Sequence, residues 1–337
     1  MKRKRTQRWK LIAATIVTVA LLAMVSGCPD GSLLDLVASA DENGDGGGND
    51  VAPPSQYESP NIGTMNRVPG GVFQRDNIAL NTTLVSPFYM SNHQITRAQF
   101  ETIMGTDPSD PDYSSGTSDP VQMVSWYDAI AFCNKLSLAE GKTPVYSVSG
   151  VNWSILQYDE IPTTNNSTWN AATMNMAASG YRLPTEAEWM WAAMGADQDA
   201  QPGAMQGGIN RTGYEKPFSG YDGSNAIGDY AVFGYYGTSE GRTTNQRTDP
   251  VGSKLPNELG LYDMSGNVWD WTWDWQASYP PGQLNNYEGP EYGSHRVYRG
   301  GGWNYHASGC GVAFRHYATY YSPSESAKAL GFRVVSR

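Results

Sequence analysis

Eleven tryptophans and 21 tyrosines run through a chain of 337 residues that has only three cysteines. Cys28 closes a leader described below, so Cys133 and Cys310 alone remain, too few for a disulfide framework in a chain this long. The fold must therefore stand on its core, and the aromatic supply is ample for about one large domain.

The first ten residues carry Lys2, Arg3, Lys4, Arg5, Arg8 and Lys10 without an acid, and they run into the apolar stretch from Leu11 to Met24. A basic segment followed by a short apolar one reads as a secretory signal. The run is too short, and too polar a segment follows, for a permanent span. It ends in Val25-Ser26-Gly27-Cys28, which resembles the lipobox of bacterial lipoproteins. Residues 1–27 are accordingly expected to be a lipoprotein signal peptide. Cys28 is the expected lipidation site, since several acyl chains at one cysteine make a stable anchor. The expected location is the cell envelope, on the outer surface, with the membrane as a partner through the lipid.

Loss of the leader removes six basic residues and leaves 17 against 33 acids, a net charge of −16. So acidic a body argues against a nucleic-acid partner. Residues 28–60 are rich in Asp, Gly, Ser, Asn and Pro, a composition that cannot bury a core and predicts a flexible tether. Asp41, Asn43, Asp45 and Gly46 match the opening of an EF-hand loop, but Ala52 stands where the bidentate Glu is needed.

Residues 61–337 are predicted to form one α+β domain with few helices, many short strands and irregular loops. Val68-Pro-Gly-Gly-Val-Phe-Gln and Leu84-Val-Ser-Pro-Phe-Tyr-Met read as strands broken by turn residues. Thr96 with Gln99 is a capping box, predicting a helix from Arg97 to Met104 that stops at Gly105. A second helix starts after Ser125 and closes at Gly141, with Trp126, Ala129, Ile130, Cys133 and Leu136 as its buried stripe. A third starts after Thr185, where Glu188 completes another capping box, and ends at Gly195. The stretch from Lys142 to Ser179 reads as an insertion between the second and third helices.

Several segments line up with one family: Val68-Pro-Gly-Gly-Val-Phe, Pro120-Val-Gln-Met-Val-Ser-Trp-Tyr-Asp-Ala, Gly180-Tyr-Arg-Leu-Pro-Thr-Glu-Ala-Glu-Trp, Asn257-Glu-Leu-Gly-Leu-Tyr-Asp-Met-Ser-Gly-Asn-Val-Trp-Asp-Trp, Arg299-Gly-Gly-Gly-Trp and Gly331-Phe-Arg-Val. In this order they resemble the formylglycine-generating-enzyme (sulfatase-modifying factor) domain. The resemblance implies an elaborated C-type-lectin-like fold. In the enzymes two cysteines after the Gly-rich turn hold copper. Laid on this chain, the motif puts Cys310 at the second and Tyr305 at the first, and a phenol cannot replace a thiolate for Cu(I). The turn's serine is also replaced, by Gly302. No enzymatic activity is therefore expected, and no catalytic residue is assigned. The four histidines, His93, His295, His306 and His316, form no His-x-x-x-His pair.

The segment from Asn304 to Ser324 is dense in Tyr, His, Ser, Ala and Gly and contains no Lys, Glu, Gln, Met or Trp. Those five amino acids are the ones out of reach when the two adenines of an Asn codon are randomised. The chain thus resembles variable proteins of diversity-generating retroelements, of the spirochaete lipoprotein type (TvpA type). Tyr gives rigid contact area at low entropic cost, and Ser, Gly and Asn give adaptable hydrogen bonding. Within a hypervariable region spanning residues 302–329, the expected ligand-binding residues are Asn304, Tyr305, His306, Gly309, Gly311, Phe314, His316, Tyr317, Thr319, Tyr320 and Tyr321, with the large rings exposed.

Trp303, Arg315, Phe332 and Arg333 are expected to be scaffold, and Cys310 a buried small hydrophobe. Arg182, Glu186, Glu188 and Trp189, like the run from Asp263 to Trp271, are expected to tie loops together. No cofactor is expected beyond a structural Ca²⁺, for which the resemblance implies Asn267 and Asp270 as oxygen donors. The reading is a surface-displayed binder of a protein or surface ligand. Its alternative is a copper-dependent formylglycine-generating oxidase acting on exported sulfatases.

Overall fold

Three sequence-encoded stops and starts organise the helical part of the computed structural model, which describes residues 53–234, 241–316 and 321–337. The chain divides into two units, Met1–Gly44 and Asp45–Arg337, and all described residues lie in the second. The expected leader, Cys28 and most of the tether fall outside the described residues, as do Tyr317, Thr319 and Tyr320.

Helix α1 (Arg97–Met104) has the reciprocal Thr96–Gln99 capping box and ends on Gly105 in the left-handed region. Helix α2 (Trp126–Ala139) is capped by Ser125 and Asp128. Helix α4 (Glu186–Ala193) is capped by Thr185 and Glu188. A single turn, α3 (Ser167–Asn170), lies between them. The stripe expected on α2 proves too narrow: eleven of its 14 residues are buried. A helix buried on nearly every side is a central one, covered by other layers.

One layer on it comes from the stretch read as an insertion. Residues 142–179 supply Val145, Tyr146, Trp153, Leu156, Ile161 and Trp169 to the same core as α2. Asn134 of α2 ties it down, accepting from the Val145 and Tyr146 amides and donating to the Tyr146 carbonyl. A short ribbon, β6 (Tyr146–Ser147) with β7 (Thr173–Met174), closes this lobe.

The first sheet is antiparallel and joins β1 (Gln56–Ser59), β2 (Gly63–Val68), β5 (Phe88–Ser91) and β14 (Val335–Ser336), so the chain's last strand pairs beside its first ones. The domain start expected at residue 61 falls inside this β1–β2 hairpin. The ordered fold begins earlier than composition indicated, because the polar β1 is held by pairing to β2.

A second sheet runs β11 (Leu284–Asn285), β4 (Thr82–Val85), β3 (Gly71–Gln74), β9 (Ile209–Asn210) and β8 (Met205–Gln206). Its Gly71 lies under the Trp191 indole of α4, where a Cβ would come within 2.2 Å of the ring. The third sheet sets β10 (Trp269–Trp275) between β12 (Arg296–Arg299) and β13 (Leu330–Gly331). Among the described residues no helix is long and apolar enough to cross a membrane.

Candidate functional site

Strand β10 reads Trp-Asp-Trp-Thr-Trp-Asp-Trp. Side chains alternate across a strand, so Trp269, Trp271, Trp273 and Trp275 share one face and Asp270, Thr272 and Asp274 the other. Register with β12 puts Tyr298 opposite Trp271 and Arg296 opposite Trp275, on the indole face. Arg299 pairs with Asp270 on the polar face.

That polar face anchors the segment that follows. Glu186 at the start of α4 takes Arg299 from β12 and Arg315 from the segment. Arg315 Nε donates to Glu186 Oε1 at 2.6 Å and Nη1 to the Ala277 carbonyl at 2.6 Å. Burial alone would raise the Glu186 carboxyl, but the two guanidiniums hold it down at about 2. Arg299 also donates to the Phe314 carbonyl at 2.9 Å. At the segment's start, Gly300 and Gly301 carry φ of 97° and 80°, and Trp303 stacks on Tyr113 at 5.5 Å. Trp303, Arg315, Phe332 and Arg333 thus serve as the expected scaffold, with Phe332 in the core and Arg333 on Asp270.

Between these anchors the rings lie on the indole face. Trp269 is the floor, its centroid 5.4 Å from Tyr305, 6.0 Å from Phe314 and 5.4 Å from His316. Tyr305 meets His316 at 5.1 Å and His306 at 5.7 Å. Tyr321 lies over Tyr298 at 5.4 Å and Trp271 at 6.4 Å. Five of the expected binding residues, Tyr305, His306, Phe314, His316 and Tyr321, therefore form one cluster.

Two details of the expectation need correction. The rings are half-buried, His306 excepted, because each packs edge-on or tilted against the Trp269–Tyr298 floor. Gly309 is buried beneath Tyr305, where a Cβ would meet the ring at 2.1 Å, so it cannot present a side chain to a ligand. Asn304 is half-buried. Gly311 is half-buried too, and a Cβ there meets only ordinary contacts at 3.5 Å or more.

The sites implied by the family resemblance hold different chemistry. Cys310 is buried among Ala231 and Phe233, and burial pushes its thiol up to about 12. One protonated thiol in an apolar nest beside a phenol does not fit a two-thiolate copper site. Asp270, assigned above to calcium, has both oxygens engaged. Oδ2 accepts from Trp189 Nε1 and Arg333 Nε at 2.9 Å each, and Oδ1 from Gln94 at 3.1 Å. A carboxylate that accepts three hydrogen bonds, one of them from a guanidinium, is a structural ion pair and fits poorly as a calcium ligand. Asn267 bridges the Asp249 backbone, accepting from its amide and donating to its carbonyl. Among the described residues no group of three His, Cys, Asp or Glu is arranged to hold a metal.

The chain belongs to the sulfatase-modifying factor enzyme 1-like domain family, which matches residues 51–337. The solved structure of Treponema denticola variable protein 1 is similar at a TM-score of 0.69 and 33% identity, covering 84% of this chain and 98% of that one. Chaperone protein LppX of Paenibacillus barcinonensis is 34% identical over 247 residues, 70% of this chain and 77% of its own. The formylglycine-generating enzyme of Thermomonospora curvata is 29% identical over 311 residues, 81% of this chain and 93% of its own.

Proposed function

We propose that this chain is a lipid-anchored surface protein that binds a protein or surface ligand through the ring cluster of residues 304–321. The observation that carries the reading is the division of labour in that segment. Arg315 and Trp303 fix its backbone from below, while Tyr305, Phe314, His316 and Tyr321 stay part-exposed and His306 exposed. Such a surface offers aromatic contact area that is already ordered, so binding costs little further side-chain entropy. Similarity to a variable protein supports the same reading. Cys28 would carry the acyl chains, and no redox cofactor is assigned.

The relatives also include formylglycine-generating enzymes, so the test carries both possibilities. His306→Asp together with Gly311→Asp is expected to abolish capture of the protein or cell surface that the parent chain retains, with the melting temperature unchanged. The parent chain, offered copper and a cysteine peptide, is expected to yield no aldehyde. Aldehyde formation, or capture indifferent to both substitutions, would overturn the proposal.

A further inference from the structure

The other end of the indole face carries something different. Past Trp271, the ladder of β10 opens into a cavity of about 600 Å³, with Trp273 and Trp275 in its wall beside Asn170, Thr173 and Tyr292. Arg296 of β12 reaches the same wall and is only 1% exposed. Its guanidinium is clamped between Trp126 at 3.7 Å and Trp275 at 3.5 Å. Nη1 donates to the Trp273 carbonyl. Nε and Nη2 have no hydrogen-bond partner among the described residues.

A buried guanidinium with two orphaned donors is costly. The other buried arginines nearby are treated differently: Arg299 and Arg333 each have a carboxylate. The Nε–Nη2 edge is the fork that receives a carboxylate bidentately, in plane. Trp273 stacks on Tyr146 at 5.1 Å and Trp275 carries the Arg296 guanidinium, and the parts of both indoles left in the cavity wall offer apolar contact to a ring-shaped ligand body. Glu288 and Glu291 also line the cavity, and their charge disfavours multiply charged anions over a single carboxylate.

We propose that this cavity is a binding site for a small ligand bearing one carboxylate, which docks on the Nε–Nη2 edge of Arg296 with its body against Trp273 and Trp275. None of its lining residues belongs to the ring cluster, so the site stands or falls separately from the binding face.

Titration of the protein's tryptophan fluorescence with glucuronate and with benzoate tests it, glucose and benzyl alcohol serving as uncharged counterparts. A saturable change with a Kd of about 1 mM or tighter is expected for at least one carboxylate. The successful one tells whether the body is a sugar or an aromatic ring. Arg296→Lys keeps the charge but loses the fork, and should weaken binding by at least about tenfold. Should that variant fold poorly, Thr173→Trp at the exposed cavity rim should block binding while leaving the melting temperature unchanged. No saturation by either carboxylate would overturn the proposal. So would equal binding of the uncharged counterparts or of inorganic phosphate, or binding insensitive to both substitutions.

Discussion

The segment between Trp303 and Tyr321 contains two kinds of position that its composition does not distinguish. Arg315 and Gly309 are locked, one by Glu186 and the other by the ring of Tyr305 above it. His306 and Gly311 have room, His306 exposed and Gly311 open to an added methyl. Tyr305 and His316 stand between, half-buried on Trp269. The difference teaches that tolerance to change is set residue by residue, by what lies underneath, and not by the segment as a whole.

Glu186→Gln strikes the locked side hardest. It leaves Arg299 and Arg315 short of their carboxylate, and removal of one partner from a buried ion pair costs about 3–5 kcal/mol. Urea denaturation at neutral pH measures it. The same contact has a pH signature. The folded-state pKa of Glu186 lies at about 2, below an unfolded value of about 4.3. Its contribution is therefore fully present above the unfolded value and lost as pH falls through the folded one. The parent chain should lose stability as pH drops from about 4 towards 2, and Glu186→Gln should flatten that loss.

Gly309→Ala comes next. Its Cβ would overlap the Tyr305 ring, and overpacking costs about 1–3 kcal/mol. Pairing it with Tyr305→Ala sharpens the test: the double variant should recover part of the loss, because the ring causes it. If Gly309→Ala is silent, the boundary drawn between locked and open positions is misplaced.

The smallest effects belong to the open positions. His306→Ala and Gly311→Ala should each change stability by less than about 0.5 kcal/mol in the same denaturation experiment. Cys310 gives an independent check on the locked floor. Its buried, protonated thiol should react with a thiol reagent only once denaturant unfolds the chain.

Much of the frame was legible in the chain. Thr96, Ser125 and Thr185 each sit three residues ahead of the Gln99, Asp128 or Glu188 that completes a capping box, and all three helices start there. Capping is local chemistry, so a few consecutive residues suffice to read it. The ring cluster was legible as a list of residues but not as an arrangement. Trp269, Trp271 and Tyr298 were missed as its floor, although Trp at every second position of residues 269–275 was a readable sign of one indole face. Arg296 carried no such sign. Its want of a paired carboxylate depends on which acids the fold brings within contact: Asp274 acts on it by charge but makes no ion pair with it among the described residues.

The sequence by itself determined the helix starts, the aromatic character of the core and the residues of the ring segment, since each follows from short-range pattern or composition. Tertiary structure alone decided that Asp270 meets Arg333, that Gly309 lies beneath a ring, and that Tyr305 rests on Trp269. Those facts join residues from 4 to 63 positions apart in the chain. Contacts of this kind are fixed by how the chain's elements stack on one another, which no composition or periodic pattern encodes.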